Sequence, residues 1–378
     1  MRPVQPSMPN LILLTPLPPG HENGGSLRTW RLRQALQRHF EVTTLVLTPC
    51  PAPATGLRQT GDNLFALECE TRTPPFGYAD DVRLSLQIAD LVQSRRASAI
   101  VSRYLWPACR ATHGAGVPVL VDADDAVYRY PPGSGGPAAP FIADLKSWGR
   151  TFANRRALGR FEHCWFASSG ERQQMPQTSS SVLPNVVDLA PLRQPGAAIE
   201  QRLLFVGAVW YGPNIAGLRW FLDEVWPTIR AARPAAHLRI VGAASPELRA
   251  QLERTPGVQC TGFVDDLAQE YAQASVAIAP IRHGGGTQIK VLEALAHGLP
   301  CVTTAFVGRS YQGLLNHEEE LLIAEDAGLF AQQVLRLMGD AGLAQHLGEA
   351  GKVRVTAQFS TQAFDAEVSR TLKAMGLG

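Results

Sequence analysis

Residues 278–302 read Ile-Ala-Pro-Ile-Arg-His-Gly-Gly-Gly-Thr-Gln-Ile-Lys-Val-Leu-Glu-Ala-Leu-Ala-His-Gly-Leu-Pro-Cys-Val, the pattern of a β-strand, three glycines, a helix and a second strand. That layout builds an anion site. Gly284, Gly285 and Gly286 can take positive φ and let a ligand come close to the backbone. The helix that follows aims its unpaired N–H groups and the positive end of its dipole at the same point. Thr287 is expected to cap this helix. Ile289, Leu292 and Ala296 repeat at core spacing, and Gly298 with Pro300 ends the run. Lys290 falls in the first turn, where the dipole disfavours a cation unless an anion lies nearby, and Glu293 follows one turn later. Two readings stay open on these residues: Lys290 as a phosphate partner with Glu293 as a hydroxyl acceptor, or an exposed i, i+3 ion pair.

The 378 residues suit two domains of ordinary size. A formal net charge of +2 is too small for a nucleic-acid binder. Residues 1–192 carry 19 basic and 15 acidic side chains, whereas residues 193–378 carry 16 and 18. The first half is therefore the better candidate for an anionic surface, although solvated helix faces account for such an asymmetry as well. The six cysteines follow neither zinc nor disulfide-framework spacing, which fits a reducing cytoplasm. The short apolar run Leu11-Ile-Leu-Leu, broken by Pro16, Pro18 and Pro19, is too short for a signal or a membrane span.

Apolar runs recur at residues 10–15, 42–48, 99–102, 118–122 and 163–168, and again at 202–207, 237–242, 257–260, 275–281 and 299–304, with helical stretches between several of them. This alternation predicts two parallel α/β sheets. The Pro-rich segment beginning Leu183-Pro-Asn-Val-Val-Asp reads as a linker, so the expected division is 1–190 and 191–358, with a closing helix at 359–378 directed back to the first domain. Open α/β sheets bind ligands beyond the carboxyl ends of their strands. After the first strand, the loop ending Asn23-Gly24-Gly25-Ser26 enters a basic helix, expected over 27–39 with Ser26 as cap. Neither first strand is followed by G-x-G-x-x-G, which argues against a nicotinamide or flavin enzyme.

The chain resembles the retaining glycosyltransferases of family 4. The resemblance rests on Asn23-Gly24-Gly25-Ser26, the hinge Leu183–Asp188, the strand Leu204-Phe-Val-Gly207, the turn Thr261-Gly262-Phe263-Val264 and, above all, residues 284–302. It implies the GT-B fold, two Rossmann-like doubly wound domains facing across a cleft. The expected donor is a nucleotide diphosphate-sugar on the second domain. The expected acceptor is a hydroxyl compound, free or lipid-linked, on the first. Two departures stand out. Gly285 occupies the place of the first glutamate of the family's Glu-x7-Glu pair, Glu293 being the second. Gly207-Ala-Val-Trp-Tyr-Gly-Pro-Asn214 replaces a segment that carries two diphosphate cations in many relatives.

The resemblance assigns donor contacts to Gly24, Gly25, Gly207, Gly262, Phe263, Val264, His283, Gly284, Gly285, Gly286, Thr287 and Glu293, and catalytic roles to Asp124, Asp125, Arg282 and Lys290. Arg282 and Lys290 would supply the missing positive charge, Glu293 would hold the ribose, and the base would rest on Gly262–Val264. Asp124 and Asp125 stand at the family's His-Asp positions. Asp122-Ala-Asp124 also mimics an Asp-x-Asp metal motif, but no metal and no resident cofactor are expected. The runner-up activities are a nucleotide-sugar epimerase or hydrolase on the same fold, and a non-catalytic sugar-nucleotide-binding protein. A cytoplasmic protein is expected, with the basic stretches 28–38 and 146–160 as candidates for weak contact with the inner membrane face.

Overall fold

The computed structural model describes residues 8–20, 24–50, 56–69, 78, 80–124, 126, 139–175, 179–187, 201–284 and 287–377. They form two compact units, Met1–Val186 with Thr361–Gly378, and Val187–Ser360. The expected linker after Val187 lies outside the described residues up to residue 200.

The first unit holds an eight-stranded sheet in the order β3-β4-β2-β1-β5-β6-β7-β8. Its strands are β1 (Asn10–Thr15), β2 (Glu41–Pro49), β3 (Arg58–Gly61), β4 (Leu64–Cys69), β5 (Ala97–Arg103), β6 (Val119–Asp122), β7 (His163–Phe166) and β8 (Ser180–Val182). All pair in parallel except the edge hairpin β3–β4. Leu11 to Leu14 are fully buried because this sheet is covered on both faces. Successive side chains point to opposite faces, so Ile12 and Leu14 join one core cluster while Leu11 and Leu13 join another. The second cluster is completed by Phe364, Val368 and Leu372 from the helix Thr361–Ala374.

The second unit is a parallel sheet in the order β11-β10-β9-β12-β13-β14. Its strands are β9 (Arg202–Val206), β10 (His237–Val241), β11 (Val258–Gly262), β12 (Val276–Ala279), β13 (Cys301–Thr304) and β14 (Leu322–Ala324). In each unit the first strand, β1 or β9, lies where the strand order reverses, with its two parallel neighbours reached by crossovers in opposite directions. Such a switch point leaves a crevice at the carboxyl edge.

Two local expectations are corrected. The first helix spans Gly24–Leu36, so Ser26 is a buried residue within its first turn rather than its cap, and Gly24 and Gly25 belong to the helix. The helix after the glycine loop, Ile289–Ala296, has Gln288 at its N-cap without a side-chain capping bond. Thr287 does not cap it, and its Oγ1 is buried with no hydrogen-bond partner.

The helix Gly212–Trp220 lies directly on the backbone that leaves β12. A Cβ at Gly217 would stand 2.5 Å from the Pro280 carbonyl oxygen. Alanine would gain about 1 kcal/mol of helix propensity there, but the overlap with fixed backbone costs about 1–3 kcal/mol. Gly217→Ala is therefore expected to lower the urea midpoint of unfolding; an unchanged or raised midpoint would show that the helix can move away from Pro280.

Candidate functional site

Four neighbouring strands of the second sheet, β11, β10, β9 and β12, each end at or near a glycine of positive φ. These are Gly262 (76°), Gly242 (144°), Gly207 (156°) and Gly284 (121°). The backbone there is too close for side chains: a Cβ on Gly242 would lie 1.9 Å from the Gly207 carbonyl oxygen. The Gly207 amide donates to Val241 at 2.9 Å, and the Gly242 amide to Gly262 at 2.9 Å. This bare backbone rim lies at the switch point of the unit.

The loop from β12 to the helix Ile289–Ala296 is tied down on both sides. Thr304 Oγ1 donates to the Ile281 carbonyl, and the buried Tyr311 hydroxyl donates to the Gln288 carbonyl at 2.7 Å. Gly284 lies against the ring of Pro213, where a Cβ would meet it at 3.1 Å. Gly285 and Gly286 lie outside the described residues.

Lys290 is not part of an exposed ion pair. Its Nζ donates to Gln288 Oε1 at 2.9 Å and to Asn214 Oδ1 at 3.3 Å. Its stem packs so closely over Gly207 that a Cβ there would lie 3.1 Å from Lys290 Cε and 3.0 Å from Asn214 Nδ2. Burial pushes its amine down to about 8, against the opposing pull of Glu293. The neighbours that bind this cation are neutral amides, so an anion placed on it meets no competing carboxylate bond.

Glu293 accepts a hydrogen bond at 2.9 Å from the hydroxyl of Tyr271, a buried ring stacked on His297 with centroids 4.6 Å apart. Burial, then the Glu293 charge, raises the Tyr271 phenol well above its ordinary range, so it remains a donor. Arg282 is an exposed residue whose guanidinium lies 5.0 Å over the Trp220 ring. His283 is half-buried, and burial together with Arg282 lowers its pKa. Phe263 is 83% exposed beside Gly262, while Val264 packs partly onto the core.

The first unit has its own charged cluster at the carboxyl edge of β1, β5 and β6. Arg28 grips Asp122 with two bonds of 2.7 and 3.0 Å and also donates to Asn185 and the Leu183 carbonyl. Arg103 donates to Asp122 at 2.8 Å and to Asp124 at 3.4 Å. Burial alone would raise the Asp122 carboxyl, but Arg28 and Arg103 outweigh it and hold the pKa low. With both oxygens of Asp122 engaged by arginines, the pair Asp122 and Asp124 is a poor cation ligand. Asp124 keeps 16% of its side chain exposed, and its Oδ1 has no hydrogen-bond donor. Asp125 lies outside the described residues. Gly25 contributes its carbonyl to this cluster, accepting from Thr29 and Arg103. Gly25 thus sits in the first unit's charged cluster, and Gly24 opens the same helix.

Sequence reasoning missed Tyr104. It follows β5 at φ 67° and ψ 155°, a region essentially reserved for glycine, and its hydroxyl accepts from Arg103 at 3.1 Å. Such a conformation costs about 1–3 kcal/mol and collects at functional sites. Nothing in the local sequence signals it. Tyr271, Gln288 and Asn214 were also unassigned, although Asn214 closes the segment singled out after β9.

Residues 200–340 match the family described as Glycosyl transferases group 1. A segment of 141 residues is 29% identical to an uncharacterized 44.6 kDa protein in the cps region of Klebsiella pneumoniae, covering 35% of this chain and 36% of that protein. The match therefore spans about a third of that relative's length. Sucrose-phosphate synthase from Thermosynechococcus elongatus superposes with a TM-score of 0.69 at 17% identity, covering 97% of this chain and 99% of the other. HepE of Anabaena in complex with UDP gives a TM-score of 0.67 at 14% identity, with 97% and 100% covered. At these identities the superpositions speak for fold, and the family match speaks for the second unit. Residues 200–340 match the group 1 glycosyl transferases, and the chain has the GT-B fold of two Rossmann-like α/β domains.

Proposed function

We propose that this chain is a retaining, metal-independent glycosyltransferase that moves a sugar from a nucleotide diphosphate-sugar to a hydroxyl acceptor. The observation that carries the reading is the meeting of the bare backbone rim at Gly207 and Gly242 with the partly desolvated amine of Lys290, next to Glu293 and its Tyr271 partner. A diphosphate matches the first two, and ribose hydroxyls match the carboxylate. As the glycosidic bond breaks, charge grows on the diphosphate. Lys290 and the N–H groups at the start of the helix Ile289–Ala296 stabilise it, an electrostatic contribution of the oxyanion-hole kind. Attack of the acceptor hydroxyl on the same face, its proton passing to the departing diphosphate oxygen, retains the anomeric configuration and requires no protein nucleophile.

The first unit is assigned the acceptor, with Asp124 as the carboxylate that orients its hydroxyl. A lipid-linked acceptor is supported by the exposed, stacked Trp148 and Phe152, 5.9 Å apart, on the helix Ala139–Leu158 that also carries exposed Arg155 and Arg156. The basic stretch 28–38 contributes less, because Arg28 is buried against Asp122. No helix among the described residues is long and apolar enough to cross a membrane. Polysaccharide synthesis is the setting suggested by the relative from a cps region.

Calorimetry and thermal shift with uridine, guanosine, adenosine and thymidine diphosphate-sugars test the reading, since a ligand of the folded state raises its stability. UDP is the first choice because the HepE neighbour holds it. Binding by none of them would refute a donor site. Incubation with donor alone should leave the nucleotide sugar largely intact, whereas an epimerase would convert it.

A bound phosphate favours the charged form of Lys290. Donor affinity is expected to fall as pH rises through about 8, with proton uptake on binding, and Lys290→Met should remove that pH dependence. The stability of the free protein moves the other way. The unfolded lysine keeps its proton to about 10.4, so raising pH from about 8 toward that value relieves the cost of burying the charge. Parallel pH dependence of affinity in wild type and Lys290→Met would remove Lys290 from the site.

Glu293 should accept hydrogen bonds from ribose rather than carry a proton. Charge-assisted bonds are worth about 1.5–3 kcal/mol each, so Glu293→Gln is expected to weaken donor binding by roughly tenfold or more, with both limbs of the pH–rate profile kept and the Lys290 limb moved to lower pH. Loss of one limb of that profile would make Glu293 a proton carrier.

The two aspartates of the first unit should separate cleanly. Asp122→Asn leaves Arg28 and Arg103 without their shared counter-charge and is expected to cost about 3–5 kcal/mol of stability. Asp124→Asn should keep the unfolding midpoint within about 1 kcal/mol of wild type while lowering turnover. Equal loss of stability in both would make Asp124 structural.

A further inference from the structure

Among the described residues of the second unit, three aromatic side chains are exposed: Trp210, Tyr211 and Phe263. Isolated exposed aromatics need no explanation. These three all stand on loops that leave the carboxyl edge of one sheet, Phe263 next to Gly262 and the other two just after Gly207.

The loop from Gly207 to Asn214 is a rigid mount. The Val209 amide donates to Ala243 at 2.9 Å, and the Tyr211 carbonyl accepts from the amides of Asn214 and Ile215 at 2.9 and 3.1 Å. The Trp210 and Tyr211 rings meet edge to face with centroids 6.4 Å apart. Tyr211 also reaches the phosphate loop, its hydroxyl lying 3.8 Å from where a Cβ of Gly284 would be. Trp210, 67% exposed, presents its ring from the same turn.

This loop carries neither acid nor base, so it does not hold phosphate by charge; it offers apolar ring surface next to residues that do. In sheet order β9 adjoins β12, the strand that leads to Gly284 and Lys290, while Phe263 follows β11, two strands to the other side of β9. At about 4.8 Å per strand that is roughly 10 Å, enough to separate a base from the far end of a diphosphate. Resting on the donor reading above, we propose that Trp210, backed by Tyr211, is the wall on which the hexopyranose ring of the nucleotide diphosphate-sugar stacks through its C–H face. This loop then selects the sugar and not the nucleotide.

The test compares two ligands on each protein by calorimetry: the nucleoside diphosphate (of uridine, guanosine, adenosine or thymidine) that wild type binds, and its glucose, galactose, mannose and N-acetylglucosamine conjugates. Trp210→Ala is expected to weaken the preferred conjugate about three- to tenfold while leaving the bare diphosphate within about twofold, and Trp210→Phe should recover most of the loss. Trp210 is exposed, so an unchanged melting temperature confirms that the variant is folded. Equal losses for diphosphate and conjugate would place the base on Trp210 and overturn the proposal, as would undiminished affinity for every conjugate. Wild type that binds diphosphate but gains nothing from any sugar would overturn the proposal while leaving the nucleotide site standing. Wild type that binds no diphosphate at all would remove the donor reading, and the sugar wall with it.

Discussion

The closeness of backbone to backbone at the carboxyl edge of the second sheet governs what this unit can bind. Any side chain at Gly242 would strike the carbonyl of Gly207, and any side chain at Gly207 would displace the Lys290 stem. Two absent Cβ atoms therefore allow adjacent loops to close up, let the lysine lie across them, and bring its amine to the amides of Asn214 and Gln288. The same closeness strips water from the amine, which is why its proton is held weakly. Packing and electrostatics are one fact at this point.

The two units handle charge in opposite ways. Around Asp122 the account is closed internally: two guanidiniums face two carboxylates, and the one oxygen left without a hydrogen bond, Oδ1 of Asp124, is itself buried. Around Lys290 the cation is held by neutral amides, with Glu293 one turn along the helix and engaged by Tyr271. A closed cluster rigidifies its loops, and the strained Tyr104 beside Arg103 is tolerated because that cluster holds both. The open one leaves the lysine without a bonded counter-charge among the described residues.

Much of this was legible in the sequence. The ten apolar runs correspond to strands, most clearly where a parallel strand is covered on both faces and so apolar along most of its length, as in β1 and β12. The strands that escaped notice lacked that signature: β3 is exposed at every position, β4 alternates, and β8 and β14 are three residues long. The glycine loop, Lys290 and Glu293 could be singled out because they fall within a dozen residues of one another. The partners of Asp122 were not, since Arg28 lies 94 residues away and only the sheet brings them together. Thr287 misled because helix starts are usually read from the nearest hydroxyl, whereas this one begins a residue later, anchored from Tyr311 through the Gln288 carbonyl.

The helix Thr361–Ala374 belongs to the first unit, although the whole second unit precedes it in the chain. Phe364, Val368 and Leu372 fill the core beside Leu11 and Leu13, and Thr371 accepts the indole proton of the buried Trp165 at 3.0 Å. During synthesis, then, the first sheet must wait for residues made after the whole second unit, and the second sheet can complete its core while the first still lacks one wall. A cut within this helix therefore leaves its damage at β1, the strand farthest from it along the chain.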